Sequence, residues 1–371
     1  VYTIIPELET QDPAVLTDIN VNGVSISGFD KNRFSYIVNV TKSPIIRYTA
    51  AKGAQVNVLT QDSKHWKAEV TYQDHTNIYD VWYYYTNDQV PNTEFTEWTN
   101  CATYTDAVKP TGWNTIADVL GAHSGFFTFN PDEMVQKSGN DAVFLKTPYS
   151  NPGGGNIPGF ITLGSVSGKW GVAGSSSFSI FGGISFHNTP DEMNIRYYNS
   201  KVKSNSLIQY SLTGMNGIKV LEWKDSQTSS DYKEVALDLS EANNAAGAPS
   251  FLNITLCSFD GTYGTTNTSL NTLAEMYVDY IRFTYNSKLK GITVNGIKAT
   301  KAGNTFTATL TDSEDTTFPN IVFEGEVSDQ AQKFDTWQEN NNLNATYQVR
   351  SAYFMNYAEN GDSTKYRLQI R

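Results

Sequence analysis

The clearest pattern of hydrophobic and polar positions runs from Leu273 to Gly296, LAEMYVDYIRFTYNSKLKGITVNG. Its first half alternates, with Met276, Val278, Tyr280, Arg282 and Thr284 on one side and Tyr277, Asp279, Ile281, Phe283 and Tyr285 on the other. A period of two over that length, rich in β-branched and aromatic residues, predicts a half-buried strand. The phase puts Asp279 with Ile281 and Phe283 on the buried face. Asn286, Ser287 and Lys288 interrupt the pattern, and a second strand with Leu289, Ile292 and Val294 leads into the turn pair Asn295-Gly296. The first strand reads as the last of one domain and the second as the first of the next.

The same pattern occurs near the start of the chain. LTDINVNG at Leu16 and LKGITVNG at Leu289 share Leu, Ile, Val, Asn and Gly in register. Phe34 and Phe306 then introduce matching strands, AEVTYQ is echoed by NATYQV, and TNIYDVWYYY and TKYRLQIR close the two segments. An ordered series of matches indicates a duplicated domain. Short strands at Gln55–Leu59, Ala68–Tyr72 and Tyr79–Tyr85, with no helical period between them, predict a small sandwich of immunoglobulin or fibronectin type. The two copies bracket a segment of mostly antiparallel strands, with one helix-like run at Ser240–Ala248 limited by Pro249, and its size suits a jelly roll. The expected architecture is therefore all-β: a tail over 1–15, an immunoglobulin-like domain over 16–91, a galactose-binding-like jelly roll over 92–286, and a second immunoglobulin-like domain over 287–371.

Composition narrows the partners. A formal net charge of -11 argues against nucleic acid, which needs clustered Lys and Arg, and against anionic lipid headgroups. Twenty-two Tyr against five Met, with abundant Gly, Asn, Ser and Thr, suits an exported β protein, and neutral ligands stay open. Cys101 and Cys257 could form one bridge or stand as two buried thiols. No stretch reaches the roughly 18 apolar residues of a membrane span. The chain starts at Val1, so a signal or lipid-anchor segment upstream is expected, with an outer-membrane surface or periplasmic location.

Several motifs in the middle segment are similar to a known family. Phe95 and Trp98 form Phe-x-x-Trp; Pro110, Gly112 and Trp113 form Pro-x-Gly-Trp; Pro190 precedes a strand with Tyr197 and Tyr198; and Val278 to Phe283 form a Val-Asp-aromatic-hydrophobic strand. This order resembles the carbohydrate metabolism domain found in surface proteins of gut Bacteroides-type bacteria. The resemblance covers the middle half of the chain. It implies a jelly roll similar to carbohydrate-binding modules, immunoglobulin-like flanks, a glycan or oligosaccharide as partner, and outer-membrane proteins as associates. Where the family carries a second acid after Val-Asp, this chain has Tyr280.

Sugar rings offer flat C–H faces that Trp and Tyr can cover, with polar groups at the hydroxyl edges. The candidates in the middle segment are Trp170, Tyr197, Tyr198, Trp113, Trp98, Trp223 and Tyr263, each weighed against ordinary core packing. Trp170, in the glycine-flanked GKWGVAG, is expected on an exposed loop. Adjacent Tyr197 and Tyr198 must face opposite ways on a strand. Asp279, as a buried carboxylate, needs a partner, and either a structural calcium ion or plain hydrogen bonding would serve. For hydrolysis, Asp132-Glu133 and Asp191-Glu192 are adjacent pairs that a strand would aim in opposite directions, whereas glycosidases hold two carboxyls across one bond. The histidines His65, His75, His123 and His187 lack zinc spacing, Gly153–Gly155 lacks a phosphate-loop context, and no Gly-x-Ser-x-Gly elbow occurs. Three readings follow: a non-catalytic glycan-binding surface protein, a glycan-active enzyme, or an adhesin whose exposed aromatics (Trp66, Trp82 to Tyr85, Trp337) sit on the terminal modules.

Overall fold

The computed structural model describes residues 14–85, 88–122, 130–139, 141–147, 157–170, 176–202, 205–260, 274–310, 321–326, 330–334, 338–340 and 349–371. The chain is all-β apart from one short helix, Ser240–Ala246, and two 3-10 turns among these residues. It divides into two compact units, one formed by residues 88–285 and one formed by residues 1–87 together with 286–371.

The second of these units contains the duplicated sequence, and the duplication extends to hydrogen bonds. In the N-terminal copy, Leu16–Val21 lies between Val24–Ser25 and Ile46–Ala50, while Ser35–Asn39, His75–Tyr84, His65–Tyr72 and Gln55–Gln61 form a facing sheet. The C-terminal copy repeats this with Leu289–Val294 between Ile297–Lys298 and Ile321–Gly325. In both copies a strand pairs in parallel with the closing strand: Ser35–Asn39 with His75–Tyr84, and Thr305–Ala308 with Ser363–Ile370. Asn22-Gly23 and Asn295-Gly296 hold positive φ angles at all four positions, the conformation that a tight two-residue hairpin demands. The N–H of Leu16 donates to the Tyr79 hydroxyl at 3.0 Å, and the N–H of Leu289 donates to the Tyr366 hydroxyl at the same distance.

Two antiparallel sheets face each other in the central unit as a jelly-roll sandwich. One has the order Val135–Ser138, Ala142–Thr147, Ala274–Thr284, Glu192–Lys201, Lys233–Asp238. The other has the order Phe160–Thr162, Pro249–Cys257, Ser206–Gly214, Gly217–Asp225, with Ile184–Ser185 also paired to Pro249–Cys257. Met276, Val278, Ile195 and Val143 from the first sheet meet Tyr210, Leu212, Ile254 and Leu256 from the second. Fully burying side chains of this size contributes about 1.5–3 kcal/mol each before entropy is counted, so this layer holds the sandwich shut. Cys101 and Cys257 are both buried, in separate clusters.

The opening strand departs from its simple alternation. Arg196 stands opposite Tyr280 and Tyr197 opposite Val278, so Asp279 is the extra residue of a β-bulge. The bulge reverses the phase. Met276 and Val278 face the core before it, and Ile281 and Phe283 do so after it. Asp279 is therefore on the outer face, not with Ile281 and Phe283 as the uninterrupted pattern predicts. Its carboxylate is paired with the Arg196 guanidinium.

Candidate functional site

Three neighbouring strands build the outer face of the second sheet. Along Ser206–Gly214, Ile208, Tyr210 and Leu212 enter the core, so Gln209, Ser211 and Thr213 point outward. On one side, Pro249–Cys257 sends Leu252, Ile254 and Leu256 inward and presents Phe251 and Asn253 outward. On the other, Gly217–Asp225 packs Leu221 and Trp223 against the core and leaves Ile218 and Val220 outside. Strand register aligns these residues in rows: Phe251, Thr213 and Ile218 stand abreast, and Asn253, Ser211 and Val220 form the next row. A polar stripe thus runs along the middle strand, with apolar side chains on both neighbours.

A hairpin of Ser165–Trp170 and Ser176–Phe181 adds a wall. Phe178, Ser179, Ile180 and Phe181 from it, with the sheet face below, line a cavity of about 530 Å³, within the roughly 300–1,000 Å³ usual for small-ligand sites. Ile218 is 70% exposed, Phe181 56%, Phe251 48% and Val220 44%. Contiguous exposed apolar surface of this kind marks interaction sites. No described lining residue carries a charge.

Two amides on the floor have their orientation fixed. Asn253 Oδ1 accepts from Thr162 Oγ1 and from the Gly164 N–H, each at 2.8 Å, which leaves Nδ2 as its donor. Gly164 can come this close because it has no side chain. A Cβ there would lie 3.0 Å from Asn253 Nδ2 and 3.1 Å from the Phe181 carbonyl oxygen. Gln209 Nε2 donates to Glu222 Oε1 at 3.0 Å, leaving the Gln209 Oε1 as an acceptor. Glu222 itself is 3.7 Å from Lys224 Nζ, which also lies 3.4 Å from Asp260. Lys224 therefore offsets part of the negative charge of Glu222 and Asp260.

Of the residues singled out from the sequence, Trp113, Trp98, Tyr197 and Tyr198 fall elsewhere. Trp113 is fully buried, donates to the Pro91 carbonyl at 3.0 Å and packs on Phe95. Trp98 is half-buried against the same core and donates to the Phe95 carbonyl at 2.7 Å. The Phe-x-x-Trp and Pro-x-Gly-Trp motifs thus close one end of the sandwich. Tyr197 points into the core, where its hydroxyl reaches Asp225 at 3.0 Å. Trp170 belongs to a strand of the hairpin wall, paired with Ser176, and not to a loop; its side chain lies outside the described residues. Tyr263, His123 and Gly153–Gly155 also lie outside them.

Tyr198 faces outward on the opposite sheet, in a ladder of rings that crosses several strands. Phe144 and Tyr277 stack at 4.5 Å between centroids, as do Tyr277 and Tyr198, and Tyr232 meets Tyr198 edge-on at 4.8 Å. Arg196 sits 4.9 Å over Tyr232. Rings stacked on one another turn their edges to solvent, whereas a sugar needs an open ring face. Burial raises the Tyr198 and Tyr277 hydroxyls above their ordinary range and pushes Tyr232 up to about 12. These are packed, protonated phenols.

The carboxylates are also placed. Asp132 and Glu133 lie in the 3-10 turn Pro131–Glu133, where Glu133 meets Lys146 at 3.2 Å, and the Asn130 amide holds the Glu133 carboxyl below its usual range. Asp191 donates its N–H to Thr284, and Glu192 opens a strand. None of these lines the groove. Among the described residues no three His, Cys, Asp or Glu side chains are grouped as a metal site would require, and no helix is long and apolar enough to cross a membrane. On the terminal copies, Trp66, Tyr83, Tyr84 and Tyr85 are buried, and Trp82 stacks on His65 at 4.1 Å. Trp337 lies outside the described residues.

No family model matches this sequence, and no curated protein matches it. Among solved structures, the chain is similar to a non-crystalline cellulose specific carbohydrate-binding module (CBM28). That likeness has a TM-score of 0.25 and 8% identity, over 47% of this chain and 87% of that one. Similarity at this level bears on neither the ligand nor the position of the site.

Proposed function

We propose that the central unit binds a neutral glycan in the groove over the Ser206–Gly214 strand, and that it holds the glycan without cleaving it. The observation that carries this reading is the lining. Exposed Phe251 and Phe181 adjoin hydroxyls and oriented amides, and the described lining holds no charge in a protein of net charge -11. Aromatic faces take up sugar C–H faces, and uncharged donors and acceptors match hydroxyls at little desolvation cost. Hydrolysis would need two carboxyls across the scissile bond, and the described lining supplies none. An exported protein with such a groove would serve polysaccharide capture at a cell surface, in company with outer-membrane partners.

Calorimetric titration of the 371-residue chain with neutral and anionic polysaccharides tests this. A neutral glycan should bind with an affinity nearly independent of salt, because no exposed ion pair is formed. Phe251→Ala should weaken that binding by about 1.5 kcal/mol, roughly tenfold in Kd, and leave the melting temperature unchanged because the ring is half-exposed. Binding confined to anionic polysaccharides, or undiminished in a Phe251→Ala/Phe181→Ala double variant, would refute the groove as the site.

A further inference from the structure

From the same groove, and resting on the glycan-binding reading just given, we infer the class of sugar: the site is built for N-acetylated residues, sugars that carry an acetamido group. The argument starts from the two fixed amides. Asn253 offers a donor, Nδ2, because its oxygen is held by Thr162 and Gly164. Gln209 offers an acceptor, Oε1, because its nitrogen is held by Glu222.

Gln209 and Asn253 are not directly opposite each other. Gln209 faces Thr255 and Ser211 faces Asn253, so the two amides are diagonal neighbours, about 7–8 Å apart at their Cα atoms. A trans acetamide presents its C=O and N–H in opposite directions. Laid between these side chains, it can accept from Asn253 and donate to Gln209 at once. A carboxylate fails, since it brings no N–H. A lone hydroxyl can donate and accept, but only from one oxygen, whereas the acetamide offers its acceptor and its donor on separate atoms suited to two diagonal side chains.

The third part of an acetamide is its methyl group, and the apolar bank on the Gly217–Asp225 strand fits it. Val220 stands opposite Ser211, in the same row as Asn253, with Ile218 one step further along the same face. Branched aliphatic side chains cannot act as flat plates for a sugar ring. They can pack against a methyl group, whereas hydroxyls set against them gain no hydrogen bond from the protein. Plain hexose polymers, which bear only hydroxyls, would waste this wall.

Chitohexaose and cellohexaose provide a matched pair, sharing a β-1,4 backbone and differing at the acetamido group. Titrated calorimetrically into the full chain, chitohexaose should bind at least about tenfold more tightly, the lower range expected when one small apolar group is recognised by a pocket. In Val220→Thr, which keeps side-chain shape and strand preference, and in Gln209→Ala, the ratio of the two affinities should collapse toward one. Equal affinity of the unaltered protein for both oligosaccharides, or a ratio unmoved by both substitutions, would overturn the inference while leaving neutral-glycan binding in place. If the chain bound neither of them nor any other neutral glycan, the groove reading itself would fall.

Discussion

Asp225 shows how a polar residue is accommodated at the edge of this sandwich. It accepts from Lys233 Nζ at 2.6 Å, from Tyr197 Oη and Asn199 Nδ2 at 3.0 Å each, and from the Gln227 N–H at 3.0 Å. Burial by itself would push the carboxyl up, but the Lys233 ammonium, the Gln227 N–H and the Tyr197 hydroxyl together hold it below the usual carboxylate range. Glu275 is similar: burial raises it, and Lys201 and Ser200 outweigh burial. A folded-state pKa lower than the unfolded one adds stability above the unfolded value, about 3.9 for Asp. That stability is lost as pH falls through the depressed folded value. Thermal melts should therefore show stability dropping below about pH 4, and Asp225→Asn should flatten the drop while lowering stability at neutral pH. An unchanged acid limb in that variant would mean that Asp225 does not supply the dependence.

The duplicated copies make their clearest statement at the level of strands. Each begins with a strand whose first N–H is capped by a tyrosine hydroxyl from the facing sheet, Tyr79 for Leu16 and Tyr366 for Leu289. Both leucines are fully buried, so neither N–H has water as a substitute. Tyr79→Phe and Tyr366→Phe should each cost about 1–2 kcal/mol in denaturant unfolding, and by similar amounts, since the bond is the same length in both copies. A cost in one copy alone would show that the shared geometry is not a shared energetic role. The repeat was legible because Leu, Ile, Val, Asn and Gly recur in register. The parallel pairing with the closing strand was not, because it depends on residues some 40 to 60 positions apart (Tyr36 with Val81, Phe306 with Leu368).

Across the whole chain, the two terminal segments count as one compact unit because side chains nearly 300 residues apart meet. Lys64 Nζ lies 2.5 Å from Glu359 Oε1, with both side chains 9% exposed, Ser35 Oγ donates to the Gln332 carbonyl at 3.3 Å, and Tyr84 Oη donates to the Tyr357 carbonyl at 3.1 Å. Removing one partner of a buried pair leaves the other charge less well compensated. Glu359→Ala should thus destabilise the unit by about 3 kcal/mol, and the loss should be smaller when Lys64 is replaced by Met in the same chain. Equal losses in the single and double variants would show that the ion pair contributes nothing to the junction.

By itself the sequence determined the β class, the duplication, the tight Asn-Gly turns, and the alternation that fills the core, because each depends on residues close together in the chain. Ring-bearing motifs such as Phe95, Trp98 and Trp113 were equally visible, but the sequence could not say which way they point, and they close the sandwich. Tertiary structure decided the rest. The strand from Gly217 to Asp225 carries apolar residues on both of its faces, and a one-residue slip would exchange them. Only its register against Ser206–Gly214 turns Ile218 and Val220 outward and Leu221 and Trp223 inward. The bulge at Asp279 reverses a strand that reads as one phase. The groove draws together residues 164 to 253 through pairing alone, so no local pattern records it. What a side chain can bind depends on the face it is given, and that face is set by strand pairing.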